Sequence, residues 1–230
     1  MSLQPHGFNS QSALNVHTLG ERTYMLTICA FTAVFIGVAT IGAQLTYDWQ
    51  ITGMWLNIAF AVACIVVSVI GSIVAEASDN PVVSFIGGGI CAIGLGALVG
   101  PFVAQFALGS VVQALMLTGC VVLVMGLIGA IVPANLSAWG APLMGLLIGA
   151  IVIQFGAGIL AAIGLNMTLT FGIIDWAVLL LFCGIMIYDL NRARRLERTL
   201  DNAIDMAVDV FVNFINIFVR ILLIVGRSDD

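Results

Sequence analysis

The sequence contains no lysine, and charged residues of any kind are scarce. Only 8% of its 230 residues are charged, and all seven basic residues are arginine. A soluble globular protein carries roughly 25% charged residues, which help to cover its surface. This chain could not cover a soluble surface, and it has no basic patch large enough for a nucleic acid. The shortage of charge therefore predicts an integral membrane protein whose main partner is the lipid bilayer.

The chain also lacks the residue patterns of common enzymes and metal sites. Its five cysteines lie singly in apolar runs without CxxC or Cys/His spacing, and its two histidines, His6 and His17, lie near the N-terminus. No HExxH, GxSxG or phosphate-loop pattern occurs. The "IYD" at 187–189 resembles one motif of intramembrane aspartyl proteases, but their GxGD motif is absent. We expect a protein that is not an enzyme and has no bound cofactor.

Long hydrophobic runs take the place of charge. Hydrophobic residues make up 61% of the chain and the mean hydropathy is +1.16, with runs near the ~20 residues that span a bilayer. We predict an all-α integral membrane protein with seven transmembrane helices, at about 23–46, 53–75, 82–107, 109–132, 141–164, 172–190 and 203–224. One transmembrane domain, 23–224, would then lie between a polar N-terminal tail, 1–22, and a polar C-terminal tail, 225–230.

The arginines predict the orientation of the chain in the membrane. Four of the seven lie in the segment 191–202: Arg192, Arg194, Arg195 and Arg198. Positively charged loops stay in the cytoplasm, so we expect loop 191–202 to be cytoplasmic. With seven spans, the N-terminus would also be cytoplasmic and the C-terminus outside; if the last helix did not cross fully, the C-terminus would be inside instead. No basic segment precedes a short apolar stretch with a cleavage site, so we expect no removable signal peptide.

A polar stripe interrupts the apolar sequence of the last predicted helix, "DMAVDVFVNFINIFVRILLIV". Five polar positions fall within an arc of roughly 80° on one helix face: Asp205, Asp209, Asn213, Asn216 and Arg220. We therefore expect the seventh helix to be central in the bundle, with this stripe lining an ion path or a gate. Two interpretations are open for Arg220, which could snorkel to the membrane interface or pair with Asp175.

Another acidic residue, Asp189, ends the sixth predicted span in "IMIYDLNRARR". An acidic residue at the centre of a span costs roughly 2.5–3.5 kcal/mol, which favours a function for Asp189. For Asp205 the stronger explanation is the helix dipole, which favours acidic residues in a first turn; for Asp209 both interpretations stay open. If the sixth helix continues through Leu196, Asp189 comes level with Asn213. If it stops earlier, Asp189 faces Asp205 or Asp209.

Oxygen-bearing side chains in this pattern suit a hard cation. Carboxylate and amide oxygens are ligands that Ca²⁺ prefers, so Asp189, Asp209 and Asn213 are candidate Ca²⁺ ligands. Two carboxylates close together can also share a proton and sense pH.

Several stretches resemble the Bax inhibitor family, also called the transmembrane Bax inhibitor motif family. "LLLFCGIMIYDLNRARR" and "VFVNFINIFVRILLIVG" are similar to its C-terminal end. "DNPVVSFIGGGICAIGLGALVGPFV" and "SVVQALMLTGCVVLVMGLIGAI" extend the likeness over nearly the whole chain after the N-terminal tail. For a bacterial-type member in the inner membrane, the resemblance implies seven helices around a central last helix and a pH-sensitive Ca²⁺ leak. In eukaryotic members it implies suppression of cell death.

The sequence departs from the family pattern at two places. The resemblance implies an aspartate pair as pH sensor, and Asp189 matches its first member, but Asn213 stands at the place of the second. The second span, "GMWLNIAFAVACIVVSVIGSIVA", also lacks the arginine of family members. We therefore expect a Ca²⁺ leak channel of the Bax inhibitor type with weakened pH sensing. The alternative is a non-conducting membrane regulator that binds partner membrane proteins or a membrane protease, and a slow transporter is a third possibility.

Overall fold

The computed structural model of the chain describes residues 18–49 and 53–227. Seven α-helices follow one another, without a strand in these two ranges: α1 (Glu21–Thr46), α2 (Met54–Glu76), α3 (Pro81–Val103), α4 (Leu108–Ile131), α5 (Gly140–Ala162), α6 (Thr168–Ala193) and α7 (Leu200–Gly226). A short 3₁₀ helix, Ser137–Trp139, precedes α5. All seven α-helices are long and apolar enough to cross a membrane. The prediction of an all-α protein with seven spans is confirmed.

Local sequence signals explain where several helices begin and end. The side chain of Asn80 accepts a 3.0 Å hydrogen bond from the amide of Val82 and caps α3, whose first residue is a proline. The side chain of Thr199 caps α7 in the same way. The predicted third span reached 107, whereas α3 ends at Val103. Pro101 lies in its last turn and has no amide hydrogen for the carbonyl of Ala97, which accepts a 2.8 Å hydrogen bond from the hydroxyl of Thr46.

Most of the two predicted polar tails lies outside the described residues, which exclude 1–17, with His6 and His17, and 228–230. In the described part, α1 begins and α7 ends just inside the predicted tails. The amide of Leu19 donates a 2.7 Å hydrogen bond to the carbonyl of Arg198. The chain before α1 is therefore attached to the segment between α6 and α7.

The last helix, α7, lies at the centre of the bundle. It packs against α1, α2, α3, α4 and α6, and its large side chains Phe211 and Ile217 are fully buried. Lipid gives helices no hydrophobic reason to associate, so close packing and polar contacts decide which helix is enclosed. The central position predicted from the polar stripe is confirmed.

Glycines bring α3 into direct backbone contact with α1 and α2. A Cβ atom added at Gly96 would overlap the backbone of Ala39 on α1, and one added at Gly87 would lie 2.6 Å from the amide nitrogen of Ala75 on α2. Such close approach is possible because glycine has no side chain. The helices α1, α2 and α3 therefore form one tightly packed unit.

The fifth helix is the least enclosed of the seven. Of its residues, all of which the structure describes, only Ala157 is buried. A Cβ atom added at Gly145 or Gly149 would meet nothing within 4 Å. Its main neighbour is α6. Between α5 and the helices α2 and α7 there is open space.

Candidate ion pathway

Asp189 and Asn213 are in direct contact where α6 packs against α7. The Nδ2 atom of Asn213 donates a 2.6 Å hydrogen bond to Oδ2 of Asp189. Asp189 is 7% exposed and Asn213 is 3% exposed. A hydrogen bond to a carboxylate is stronger than one between neutral groups. This bond therefore holds α6 and α7 together inside the bundle.

The chain turn between α6 and α7 sets the level of Asp189. The helix α6 ends at Ala193, before Leu196, yet Asp189 contacts Asn213, which was expected only for a longer α6. From Asp189 to Ala193 a helix rises about 6 Å, whereas from Leu200 to Asn213 it rises about 20 Å. The segment 194–199 supplies the difference, because six residues can extend up to about 20 Å.

A cavity of about 650 Å³ surrounds this contact, and we call it the acidic cavity. Its polar lining comes from three helices: Ser72 and Glu76 of α2, Tyr188, Asp189 and Arg192 of α6, and Asp209 and Asn213 of α7. The fourth wall is α5, with apolar residues and glycine. Three carboxylates against one guanidinium give the lining a formal charge of −2. A cavity of this sign attracts cations.

The acidic cavity opens at the end of the bundle that carries the arginine-rich loop. Glu76 and Arg192 are both exposed there. The guanidinium of Arg192 lies 3.9 Å from Oδ2 of Asp209, and the two side chains are 51% and 27% exposed. A pair this exposed and this far apart adds little stability, so Arg192 leaves most of the acidic charge uncompensated. From the sequence, Arg192 was expected only to orient the chain in the membrane.

Asp205 does not line the acidic cavity. Its Oδ1 atom is buried without a hydrogen-bond partner among the described residues. One turn earlier, Asp201 accepts a 2.7 Å hydrogen bond from the hydroxyl of Ser84 on α3. The candidate ligands Asp189, Asp209 and Asn213 thus share one cavity, and Asp205 lies apart from them. Within 18–49 and 53–227, no three His, Cys, Asp or Glu residues are grouped to hold a metal ion.

A second cavity of about 350 Å³ continues from the acidic cavity toward the opposite end of the bundle. Three apolar side chains line both cavities and separate them: Leu147, Phe182 and Val212. The polar lining of the second cavity is Gln154, Asn216 and Arg220. Asn216 donates a 2.8 Å hydrogen bond to the carbonyl of Val212 in its own helix, so its amide oxygen remains for a ligand.

A third cavity, of about 510 Å³, lies beside the end of α5 and the start of α2. Gln154 and Phe155 line both the second and the third cavity. Residues of α5 line all three cavities from one end of the helix to the other. A row of spaces therefore follows α5 along the bundle, and the third is a groove at its outer surface, because Phe155 and Ile159 are 72% and 64% exposed.

Arg220 lies in a network of polar side chains instead of snorkelling to the interface. It donates a 2.7 Å hydrogen bond to Oδ1 of Asp175, and its other terminal nitrogen donates to the side-chain oxygen of Gln154. Oδ2 of Asp175 accepts a 2.6 Å hydrogen bond from Arg227. Because Asp175 is only 3% exposed, it offers the guanidinium a partner inside the protein. Of the two interpretations of Arg220, the structure shows pairing with Asp175.

A further polar residue of α6, Asn191, was not predicted from the sequence as part of the site. Its side-chain nitrogen donates to the carbonyls of Val132 and Ala134 at 3.0 and 3.1 Å, and its oxygen accepts from the amide of Leu136 at 3.2 Å. These bonds attach the connection between α4 and α5 to α6, close to Asp189. The signal was a second polar residue two positions after Asp189 in "YDLN".

Residues 16–230 match the family described as Inhibitor of apoptosis-promoting Bax1. The match includes all seven helices and the residues of all three cavities. No curated protein matches the chain significantly.

Proposed function

Because this chain belongs to the Bax inhibitor family of membrane proteins, we propose that it is a Ca²⁺ leak channel of a bacterial inner membrane. The observation that carries the proposal is the acidic cavity built around the buried contact of Asp189 with Asn213. Its formal charge of −2 raises the local concentration of cations. Its carboxylate and amide oxygens match the ligand preference of Ca²⁺.

The proposed path runs along α5. A cation enters the acidic cavity beside Glu76 and Arg192, passes Asp209, and reaches Asp189. Leu147, Phe182 and Val212 then form the gate, because an apolar constriction excludes water and with it the hydrated ion. Since α5 is packed mainly against α6, a small shift of α5 would widen this constriction. Asn216 offers the next oxygen beyond the gate.

The cation is a passing substrate in this proposal, and the protein needs no catalytic step. The described residues contain no grouping of three acidic, His or Cys ligands, which suits brief contact with an ion better than tight binding. A leak requires binding strong enough to admit the ion and weak enough to release it.

The proposed orientation places the arginine-rich loop and the N-terminus in the cytoplasm. The segment 191–202 carries four arginines, and such loops remain on the cytoplasmic side. The acidic cavity would then open to the cytoplasm and the third cavity toward the outside. A leak through this path would carry Ca²⁺ down its gradient into the cell.

The test is Ca²⁺ uptake by vesicles that contain the purified protein and a trapped Ca²⁺ indicator. Asp189→Asn should lower uptake about tenfold, because losing this charge raises the barrier by about 1.4 kcal/mol. Asp205→Asn is the matched control: it is the same change on a carboxylate outside the acidic cavity, and it should alter uptake less than about twofold. No uptake by the unmodified protein, or equal effects of both changes, would contradict the proposal.

The second candidate is a non-conducting membrane regulator that binds partner membrane proteins. The favouring observation is α5, whose Gly145 and Gly149 have open space where side chains would be. Small residues of this kind allow another transmembrane helix to approach closely. Under this alternative, uptake is absent and Gly149→Leu weakens capture of a partner such as a membrane protease.

A further inference from the structure

The two ends of the proposed path carry opposite charge. The acidic cavity has a formal charge of −2. Among the described residues that line the second cavity, Arg220 is the only charged one. From Asn213 to Arg220, α7 rises about 10 Å. A cation that leaves the acidic cavity therefore meets a fixed positive charge within about two helical turns.

The charge of Arg220 is held in place at the exit of the second cavity. Its side chain is 16% exposed, and both terminal nitrogens are bonded, to Asp175 and to Gln154. Gln154 also lines the third cavity, so the guanidinium is bonded to a residue that the second and third cavities share. A guanidinium keeps its proton in proteins, which makes this charge permanent.

Asp175 does not neutralise Arg220 by itself, because the same carboxylate also pairs with Arg227. The two arginines lie 2.7 and 2.6 Å from its two oxygens. The cluster of Asp175, Arg220 and Arg227 thus has a formal charge of +1. Arg227 lines none of the three cavities, so Arg220 is the member that faces the path.

We propose that Arg220 is the electrostatic barrier of the path, where it slows cations and discriminates between them. This inference rests on the proposed function, since it concerns the same path. A fixed positive charge in a narrow, low-dielectric passage repels cations. It repels a divalent ion twice as strongly as a monovalent one. The barrier therefore limits Ca²⁺ more than K⁺.

Two substitutions in this cluster should change Ca²⁺ uptake in opposite directions. Arg220→Gln removes the charge and keeps a hydrogen-bonding side chain, and it should raise Ca²⁺ uptake about tenfold, with a smaller rise for K⁺. Asp175→Asn brings the cluster from +1 to +2 and should lower Ca²⁺ uptake about tenfold. Damage to the fold would lower uptake in both, so opposite signs separate the electrostatic effect from instability.

Two further variants act as controls in the same vesicle assay. Arg227→Gln breaks the other ion pair of Asp175 without changing the lining of the path, and its effect should be less than half that of Arg220→Gln. Arg220→Lys keeps the positive charge and should leave uptake within about twofold of the unmodified protein. If Arg220→Lys raised uptake as much as Arg220→Gln, charge would not be the barrier and the inference would be overturned.

The results also separate this inference from the proposed function. If the unmodified protein takes up Ca²⁺ and Arg220→Gln leaves this uptake unchanged or lowers it, only the inference about Arg220 is overturned. No uptake by either form overturns both. Uptake that appears only in Arg220→Gln supports the barrier at Arg220 but contradicts the proposal that the unmodified protein is a leak channel.

Discussion

Asp189 and Asn213 show how one amide in place of a carboxylate changes the chemistry of a helix contact. Two facing carboxylates share a proton when the solution is acidic and repel each other when both are ionised. An amide instead donates to an ionised carboxylate, as Asn213 does at 2.6 Å. This contact needs no shared proton, so we expect it to persist through neutral pH.

We therefore expect Asn213→Asp to create a pH-dependent protein. The contact between α6 and α7 should hold at acidic pH and loosen as pH rises, because both carboxylates then ionise and repel. Ca²⁺ uptake and tryptophan fluorescence, followed from acidic to mildly alkaline pH, should show a steep transition in this variant and a shallow one in the unmodified protein. The control is Asn216→Asp, the same change on the same face of α7 but in the second cavity.

Asp209, Glu76, Tyr188 and Arg192 also line the acidic cavity, and Asp209 could take the place of the missing partner. If the unmodified protein shows a steep transition and Asp209→Asn abolishes it, Asp209 acts as the second carboxylate of the pair. A steep transition that survives Asp209→Asn would contradict the prediction.

The sequence is a good guide to which residues belong to the candidate site. It is a poorer guide to which of these residues contact one another. An acidic or amide side chain in an apolar span is costly, and this signal identified Asp189 and Asn213. Their contact stayed open because it depends on how far the segment 194–199 extends. Gln154, a lone polar residue in the fifth apolar run, gave the same signal and was missed. Glu76 was missed because it lies where a span ends.

At the scale of elements, Asn191 connects α6 to the turn that follows α4. Asn191→Ala would leave the buried amide of Leu136 without its hydrogen-bond partner, whereas the carbonyl of Ala134 would keep its 2.8 Å hydrogen bond from Arg195. Burying unpaired polar groups costs about 1–3 kcal/mol each. We expect the variant to unfold at clearly lower temperature in detergent. It should also disturb the acidic cavity, which α5 and α6 both line.

The matched control for this change is Asn135→Ala in the same connection. Asn135 is exposed and its side chain accepts one hydrogen bond, from the amide of Ser137 at 3.0 Å. Its loss should cost less than about 1 kcal/mol. Equal melting temperatures for the two variants would show that the connection is held by packing and not by Asn191.

For the whole molecule, the testable property is its orientation. A single cysteine at Glu197 reports the arginine-rich end and one at Asn166 reports the other, and both positions are exposed. In intact bacterial cells that express the protein, with the native cysteines replaced, a membrane-impermeant thiol reagent should label Asn166→Cys. It should label Glu197→Cys only after the membrane is opened, because positively charged loops remain inside. The reverse labelling pattern would mean that the acidic cavity opens to the outside and that Arg220 lies nearer the cytoplasm.

Hydrophobic runs were sufficient to predict the number and approximate length of the helices, since membrane thickness sets the length. The polar stripe was sufficient to place α7 at the centre. The separation of α5 from the other helices could not be predicted in this way. It depends on which glycines meet another backbone, and Gly87 and Gly149 look alike in the sequence although only Gly87 lies against another helix.

That difference between glycines determines how freely each position can vary among descendants of this gene. At Gly87 and Gly96 even the single carbon of alanine would overlap a neighbouring backbone, so nearly every missense change there is expected to be lost by selection. At Gly145 and Gly149 side chains have room, and those codons can drift unless a partner helix occupies the space. Comparing sequence variation at the glycines of α3 and α5 should therefore show whether a partner helix packs against α5.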